Sequence, residues 1–98
     1  MESDIKHKIC DWLDSAGFYT TLNVVTNRNG FPDVTVYCPG GRVFLLETKQ
    51  PGKEMKALQK YRRDEIYKKV QAKAFRVDCL EQVKKIIEDG SYLFDQSK

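Results

Sequence analysis

Histidine and cysteine are scarce in this sequence, and their scarcity excludes several kinds of site. His7 is the only histidine in 98 residues, so chemistry that relies on several imidazole ligands is excluded. The three cysteines, Cys10, Cys38 and Cys79, are isolated and form no C-x-x-C pair of the kind that binds zinc. An odd, scattered set of cysteines is typical of reduced thiols in the cytoplasm.

Long apolar runs are also absent. No stretch approaches the roughly eighteen apolar residues of a membrane-spanning helix, and the N-terminus lacks a secretory signal. The length suffices for one core, so we expect a single domain over 1–98, with 91–98 as a C-terminal extension. We expect the protein to be cytoplasmic, either in a bacterial cell or in the host cytoplasm if a phage encodes it, with no membrane partner.

Positive charge is concentrated in one segment. The net charge is +3, but residues 49–76 carry ten basic and three acidic side chains, whereas 1–48 and 77–98 are each net negative. Such a segment favours a polyanion such as DNA as partner, and the alternative is a solvated helix face. The candidate phosphate contacts are Arg28, in a turn, and Lys53, Lys56, Lys60, Arg62 and Arg63.

Periodicity and turn residues predict the element order α-β-β-β-α-β-α. The predicted elements are a helix over 2–16, strands over about 18–26, 33–38 and 42–49, a helix over 54–70, a strand over 74–77 and a helix from Asp78 to Gly90. We expect Asp78 to cap the last helix, with Glu81 completing a capping box. The crossover through the middle helix favours parallel pairing of the last two strands. The predicted fold is therefore α/β, with a mixed four-stranded sheet flanked by helices.

The two central strands carry the chemistry. They are joined by the turn 38–41, whose Pro-Gly-Gly composition is typical of a hairpin loop. In an antiparallel hairpin the start of one strand lies beside the end of the next, so Asp33 and Glu47 should meet. Lys49 lies two residues beyond Glu47 and should point to the same face. Two carboxylates and an ammonium on one patch suit metal-assisted phosphodiester hydrolysis, with hard oxygens that select Mg²⁺ or Mn²⁺.

Two polar residues fall on helix faces that are otherwise apolar. In the helix over 54–70 the predicted core stripe is Met55, Leu58, Ile66 and Val70. Gln59 lies on this stripe, where an unpaired amide would be unfavourable, so it is paired either with the carboxylate site or with backbone. Glu2 falls on the apolar face of the first helix. It either reaches the metal site or is an acid favoured by the helix N-terminus.

These motifs resemble the PD-(D/E)XK nuclease superfamily and, more narrowly, the VRR-NUC family. In that family a short G-x-PD strand, a Gly turn, an E-x-K strand and a downstream helix Gln recur. The matching residues are Gly30, Pro32, Asp33, Gly41, Glu47, Lys49 and Gln59, with Glu2 on the first helix. The resemblance spans nearly the whole chain and implies a restriction-endonuclease-like αβββαβα core.

The resemblance also implies an activity and a partner. It implies an endodeoxyribonuclease that uses Mg²⁺ or Mn²⁺, with Asp33, Glu47, Lys49 and Gln59 as catalytic residues. The metal ligands would be Asp33, Glu47 and the backbone carbonyl of Thr48, with Glu2 as a further candidate. Stand-alone phage and bacterial members are dimers that act on branched DNA, so we expect a homodimer of the Holliday-junction-resolving type, serving DNA repair or recombination.

Three alternatives stay open. The chain could be a monomeric nicking or repair nuclease, or a restriction-type enzyme, although 98 residues leave little room for a target-reading domain. It could also be a non-enzymatic DNA-binding module with the nuclease fold, against which the intact Asp33, Glu47 and Lys49 argue. No base-reading motif is present, so recognition of DNA structure is expected rather than of sequence.

Overall fold

The computed structural model describes residues 2–93, with side chains from Asp4 onward. Within that range the elements follow in the predicted order. They are α1 (Glu2–Ser15), β1 (Tyr19–Leu22), β2 (Val34–Tyr37), β3 (Val43–Thr48), α2 (Ala57–Val70), β4 (Ala74–Val77) and α3 (Leu80–Asp89). The predicted α/β class and αβββαβα order are confirmed.

The four strands form one mixed sheet in the order β1-β2-β3-β4. The first two pairings are antiparallel and the β3–β4 pairing is parallel, as the crossover through α2 requires. Val34 is the partner of Leu46 in the β2–β3 register. Continuing that register by one residue sets Asp33 opposite Glu47, at the edge where β2 begins and β3 ends.

One face of the sheet carries the core. Because strand side chains alternate between faces, Val34 and Val36 of β2 and Phe44 and Leu46 of β3 project to the same side. The buried cluster there contains these four residues together with Ile9, Cys10 and Leu13 of α1, Cys38 after β2, Val77 of β4 and Val83 of α3. The apolar faces of α1 and α3 are thereby covered, and the sheet edge that carries Asp33 and Glu47 is fixed by a packed interior.

The three cysteines are free thiols, as the sequence suggested. Cys10 and Cys38 are buried, and burial raises the pKa of both thiols. They therefore stay protonated at neutral pH, and a protonated thiol is a poor nucleophile.

The element boundaries differ from the prediction at β1. The strand ends at Leu22 rather than near Thr26. Asn23 makes the last ladder bond, donating its backbone N–H to the carbonyl of Asp33 at 2.7 Å. Beyond it Val24 and Val25 are 84% and 90% exposed. Valine favours strands, but these two residues lie outside the strand pairing, so their β propensity does not extend β1.

The last helix is capped differently from the prediction. Its N-cap is Cys79, and the expected box of Asp78 with Glu81 was wrong. The Asp78 carboxylate instead accepts a hydrogen bond from Arg76, and the backbone N–H of Asp78 donates to Gln82 at 2.6 Å. A cation on the preceding strand thus competes for the carboxylate that would have capped the helix.

The middle helix is less buried than its sequence predicted. It begins at Ala57 rather than Glu54, and none of its residues is fully buried. The predicted core stripe is wrong for Leu58 and Val70, which are 44% and 59% exposed. The physical reason is that this helix is held by polar bonds near its start and by one close backbone approach, rather than by an apolar face on the sheet.

That close approach involves Gly30, at a φ of +81°. A Cβ built on Gly30 would lie 2.7 Å from Cγ of Leu58 and 3.2 Å from its backbone carbon. Glycine is therefore required twice, by the backbone conformation and by the space. The contact presses the segment leading to Asp33 against the first turn of α2.

We expect Gly30→Ala to lower the free energy of unfolding by about 1–3 kcal/mol, because it adds a clash to a positive-φ strain. Denaturant unfolding followed by circular dichroism measures this. Gly40→Ala is the matched control, since Gly40 has a φ of +91° but nothing within 4 Å of its Cβ direction. Equal losses in the two variants would contradict a packing role for Gly30.

Candidate active site

Glu47, near the end of β3, is a buried carboxylate with charged and polar partners. It is only 3% exposed. Its Oε2 accepts a hydrogen bond from Nε2 of Gln59 at 2.9 Å and lies 3.7 Å from Nζ of Lys49. A charge this deeply buried is costly unless such partners offset its lost hydration. The contacts join the end of β3 to α2.

Gln59 uses both ends of its amide. While Nε2 donates to Glu47, Oε1 accepts the backbone N–H of Lys56 at 2.8 Å. The second bond satisfies one of the unpaired donors at the N-terminus of α2. The amide orientation is therefore fixed from the helix side, and the side chain presents a donor to the carboxylate.

Lys49 follows β3 and is also buried, at 8% exposure. Its backbone N–H donates to the carbonyl of Val77 at 2.9 Å, which extends the parallel β3–β4 pairing past the end of the strand. A lysine ammonium on a four-carbon stem normally samples many rotamers. Here the burial and the nearby Glu47 carboxylate confine it to the site.

Asp33 lies at the start of β2 and is fixed by the end of β3. Its Oδ2 accepts two hydrogen bonds from Thr48, from the backbone N–H at 3.1 Å and from the hydroxyl at 2.7 Å. Thr48 directly follows Glu47, so the two carboxylates belong to adjacent parts of one sheet edge. The structure thus brings Glu47, Lys49 and Gln59 into direct contact and sets Asp33 beside them through Thr48.

The donor set suits a hard divalent cation. Among the residues whose side chains are described, no group of three or more His, Cys, Asp or Glu side chains is arranged to hold a metal. Mg²⁺ usually keeps several waters and is bound by one or two carboxylates together with substrate phosphates, so the Asp33 and Glu47 carboxylates are of the chemical type that it takes. The Glu2 side chain lies outside the described side chains.

The predicted phosphate contacts fall into two groups. Lys53, Lys56 and Lys60 are exposed, on the loop before α2 and on its first turns. Arg63, on the same helix, is half-buried and donates from Nε to Asp64 at 2.9 Å. These four side chains lie close in sequence to Gln59, on the helix that reaches Glu47.

The other two arginines hold the loop before Asp33. Arg62 donates from Nε to the carbonyl of Asn29 at 2.8 Å and from Nη1 to Glu65 at 3.0 Å. Arg28 lies 4.0 Å from the same Glu65 carboxylate. Both therefore contribute to anchoring the loop on α2.

Two residues that shape the site were missed by the sequence reasoning. Asn23 donates from Nδ2 to the carbonyl of Pro32 and to the hydroxyl of Thr35, each at 2.9 Å. Arg76, the cross-strand partner of Glu47, donates to the carbonyls of Lys53 and Gln50. An Asn at a strand end is a weak turn signal, and nothing in the sequence marks Arg76.

Comparison with known proteins bears on the whole architecture. No protein-family profile matches the sequence, and no curated protein matches it. A solved structure described as a VRR_NUC domain does match, with a TM-score of 0.74 and 26% identity, over 89% of this chain and 94% of that chain. The chain folds as a VRR-NUC domain.

The likeness confirms the VRR-NUC resemblance and the restriction-endonuclease-like core that the sequence predicted. The chemical roles of Asp33, Glu47, Lys49 and Gln59 remain predictions, as do those of the basic residues. None of the helices in residues 2–93 is long and apolar enough to cross a membrane.

Proposed function

We propose that this VRR-NUC domain is a metal-dependent DNA endonuclease that hydrolyses phosphodiester bonds. The fold likeness supports a nuclease domain in general. The observation that carries the finer proposal is the buried Glu47 carboxylate, in contact with the Lys49 ammonium and the Gln59 amide. Burying these groups costs stability, and such a cost is typical of a site kept for chemistry.

Asp33, Glu47 and the backbone carbonyl of Thr48 would hold Mg²⁺ or Mn²⁺, with Glu2 as a further candidate ligand. When bound, such a cation supplies water activation and neutralises charge on the phosphate. Lys49 would orient the attacking water and stabilise the negative charge that develops on phosphorus oxygens. Gln59 would keep the Glu47 carboxylate in a single orientation.

The DNA partner is supported by charge and exposure. The segment that begins at Lys49 carries ten basic and three acidic side chains, and Lys53, Lys56 and Lys60 are exposed along it. Phosphate contacts of this kind give affinity and orientation without reading sequence. We therefore propose that the enzyme selects DNA by its structure.

We further propose a homodimer that resolves four-way junctions. One chain carries one candidate site and can cut one strand, whereas a two-fold pair supplies two symmetric cuts. Exposed aromatic residues support a shared interface: Tyr19 and Tyr37 pair across β1 and β2 with ring centroids 6.0 Å apart and remain 69% and 43% exposed.

Among the C-terminal aromatic residues, Tyr92 packs against the core instead. The ring of Tyr92 lies 5.1 Å from that of Phe44 and 6.2 Å from that of Phe18, so it covers the core. Phe94 lies outside the described residues.

Removing either carboxylate charge should abolish cleavage. We expect Asp33→Asn and Glu47→Gln each to lower turnover about a hundredfold or more, because they keep side-chain shape but lose ligand charge. Lys49→Ala should lose most of the rate while metal binding changes less. The measurement is single-turnover cleavage of labelled DNA with and without Mg²⁺ or Mn²⁺.

The control for these variants is Asp11→Asn, which changes an exposed carboxylate on α1. If Asp33→Asn still cleaves DNA while its circular dichroism matches the wild type, the proposed catalytic site is contradicted.

Gln59→Ala should lower turnover more than DNA affinity, since the proposed task of Gln59 is orientation.

Reversing the basic helix face should weaken DNA binding. We expect Lys56, Lys60 and Arg63 changed together to Glu to lower affinity and to flatten the salt dependence, by about 0.9 in log–log slope for each phosphate that is no longer neutralised. Fluorescence anisotropy at several salt concentrations measures this. Changing Lys6, Lys8 and Lys85 to Glu alters net charge equally and is the control. If the two triple variants lower DNA affinity equally, the basic residues of α2 have no specific role in DNA binding.

The dimer proposal is tested separately from the chemistry. We expect light scattering at micromolar concentration to give a mass twice the 11.4 kDa of one chain. The double variant Tyr19→Glu, Tyr37→Glu should lower the measured mass to that of a single chain. On a four-way junction labelled on two strands, the wild type should make paired cuts. A mass of one chain, together with uncoordinated nicks, would contradict the resolvase proposal and favour a monomeric nuclease.

A further inference from the structure

We propose that Thr48 is a positioning residue that sets the orientation of the Asp33 carboxylate through its side-chain hydroxyl. Thr48 is fully buried at the end of β3. Its hydroxyl donates to Oδ2 of Asp33 at 2.7 Å and its backbone N–H to the same oxygen at 3.1 Å. The inference rests on the proposed function, and it adds a task for the Thr48 side chain beside that proposed for its carbonyl.

The backbone of Asp33 is fixed independently of Thr48. Asn23 donates its backbone N–H to the carbonyl of Asp33 at 2.7 Å, and its Nδ2 to the carbonyl of Pro32 at 2.9 Å. Pro32 is buried, and its ring restricts its own φ. With the main chain held on the β1 side, the rotation of the Asp33 side chain is the freedom that remains, and Thr48 restricts it from the β3 side.

The two Thr48 bonds make the carboxylate asymmetric. An ionised carboxylate has about four lone-pair sites, two on each oxygen, and both bonds from Thr48 engage Oδ2. Oδ1 is then the oxygen presented to a ligand. Carboxylates that bind metals are typically hydrogen-bonded in this way by a neighbouring group, which fixes their direction.

The threonine at this position combines a hydrogen-bond donor with a branched Cβ. The hydroxyl is needed as a donor, and branching at Cβ restricts χ1, so the donor is aimed before any ligand arrives. Valine has nearly the same shape without the donor, and serine has the donor without the branch. The position therefore offers a matched pair of substitutions.

The test measures Mn²⁺ binding to the full chain by isothermal titration calorimetry without DNA. We expect Thr48→Val to weaken Mn²⁺ binding about tenfold or more, and Thr48→Ser to stay close to the wild type. In an Asp33→Asn background, Thr48→Val should have no further effect, since the hydroxyl acts through that carboxylate. Thermal unfolding without metal separates lost stability from lost affinity.

The control is Thr20→Val. Thr20 donates its hydroxyl to Asp14 at 3.0 Å, a hydroxyl–carboxylate bond between α1 and β1 that is exposed and lies away from the site. This variant should leave Mn²⁺ affinity unchanged. If Thr48→Val does not fold, Thr48→Cys, whose thiol is a weak donor, carries the same comparison with Thr48→Ser.

The outcomes separate this inference from the proposed function. Wild-type Mn²⁺ affinity in Thr48→Val, or an equal further loss in the Asp33→Asn background, would overturn the positioning role and leave the nuclease proposal standing. Absence of Mn²⁺ binding in the wild type would overturn both. Weak binding in Thr48→Val with recovery in Thr48→Ser supports the role.

Discussion

The β2–β3 register is the constraint on which the rest of the site depends. Pairing of Val34 with Leu46 sets Asp33 opposite Glu47. A slip of one residue would turn each side chain to the other face and bury the wrong set. The pairing that places Val34 and Leu46 in the core therefore also sets Asp33 opposite Glu47. Packing of the apolar interior thus fixes the positions of two carboxylates that lie outside it.

Around this register the polar groups are arranged so that each is held by a different element. Glu47 is contacted from α2 by Gln59, and the backbone of Asp33 is contacted by Asn23, the residue that follows β1. Thr48 connects the two carboxylates along β3 itself. A buried polar network is stabilising only when its members have hydrogen-bond partners, and here the partners come from different elements. These elements are therefore coupled through the site as well as through the core.

The sequence predicted the element order and the hairpin well because both follow from short-range rules. Alternation and a Pro-Gly-Gly turn define the strands, and antiparallel geometry then brings Asp33 and Glu47 together. Exposure of Leu58 could not be read from periodicity, which marks an apolar stripe but not whether anything covers it. Asp78 failed as a cap because Arg76 competes for it in three dimensions, and such competition has no fixed spacing in sequence.

The two sides of the site differ in how firmly they are held, and the bonds of Arg76 hold one of them. Its guanidinium joins β4 to the carbonyls of Gln50 and Lys53, so the connection between Lys49 and α2 behaves as an extension of the sheet. On the other side, Val24 and Val25 are almost wholly exposed, and few buried contacts mark a segment of low local stability. A bulky polymer reaching this edge would displace Val24 and Val25 most readily, because Arg28 and Asn29 are held on α2 through Glu65 and Arg62, while the carboxylates and Lys49 keep their positions.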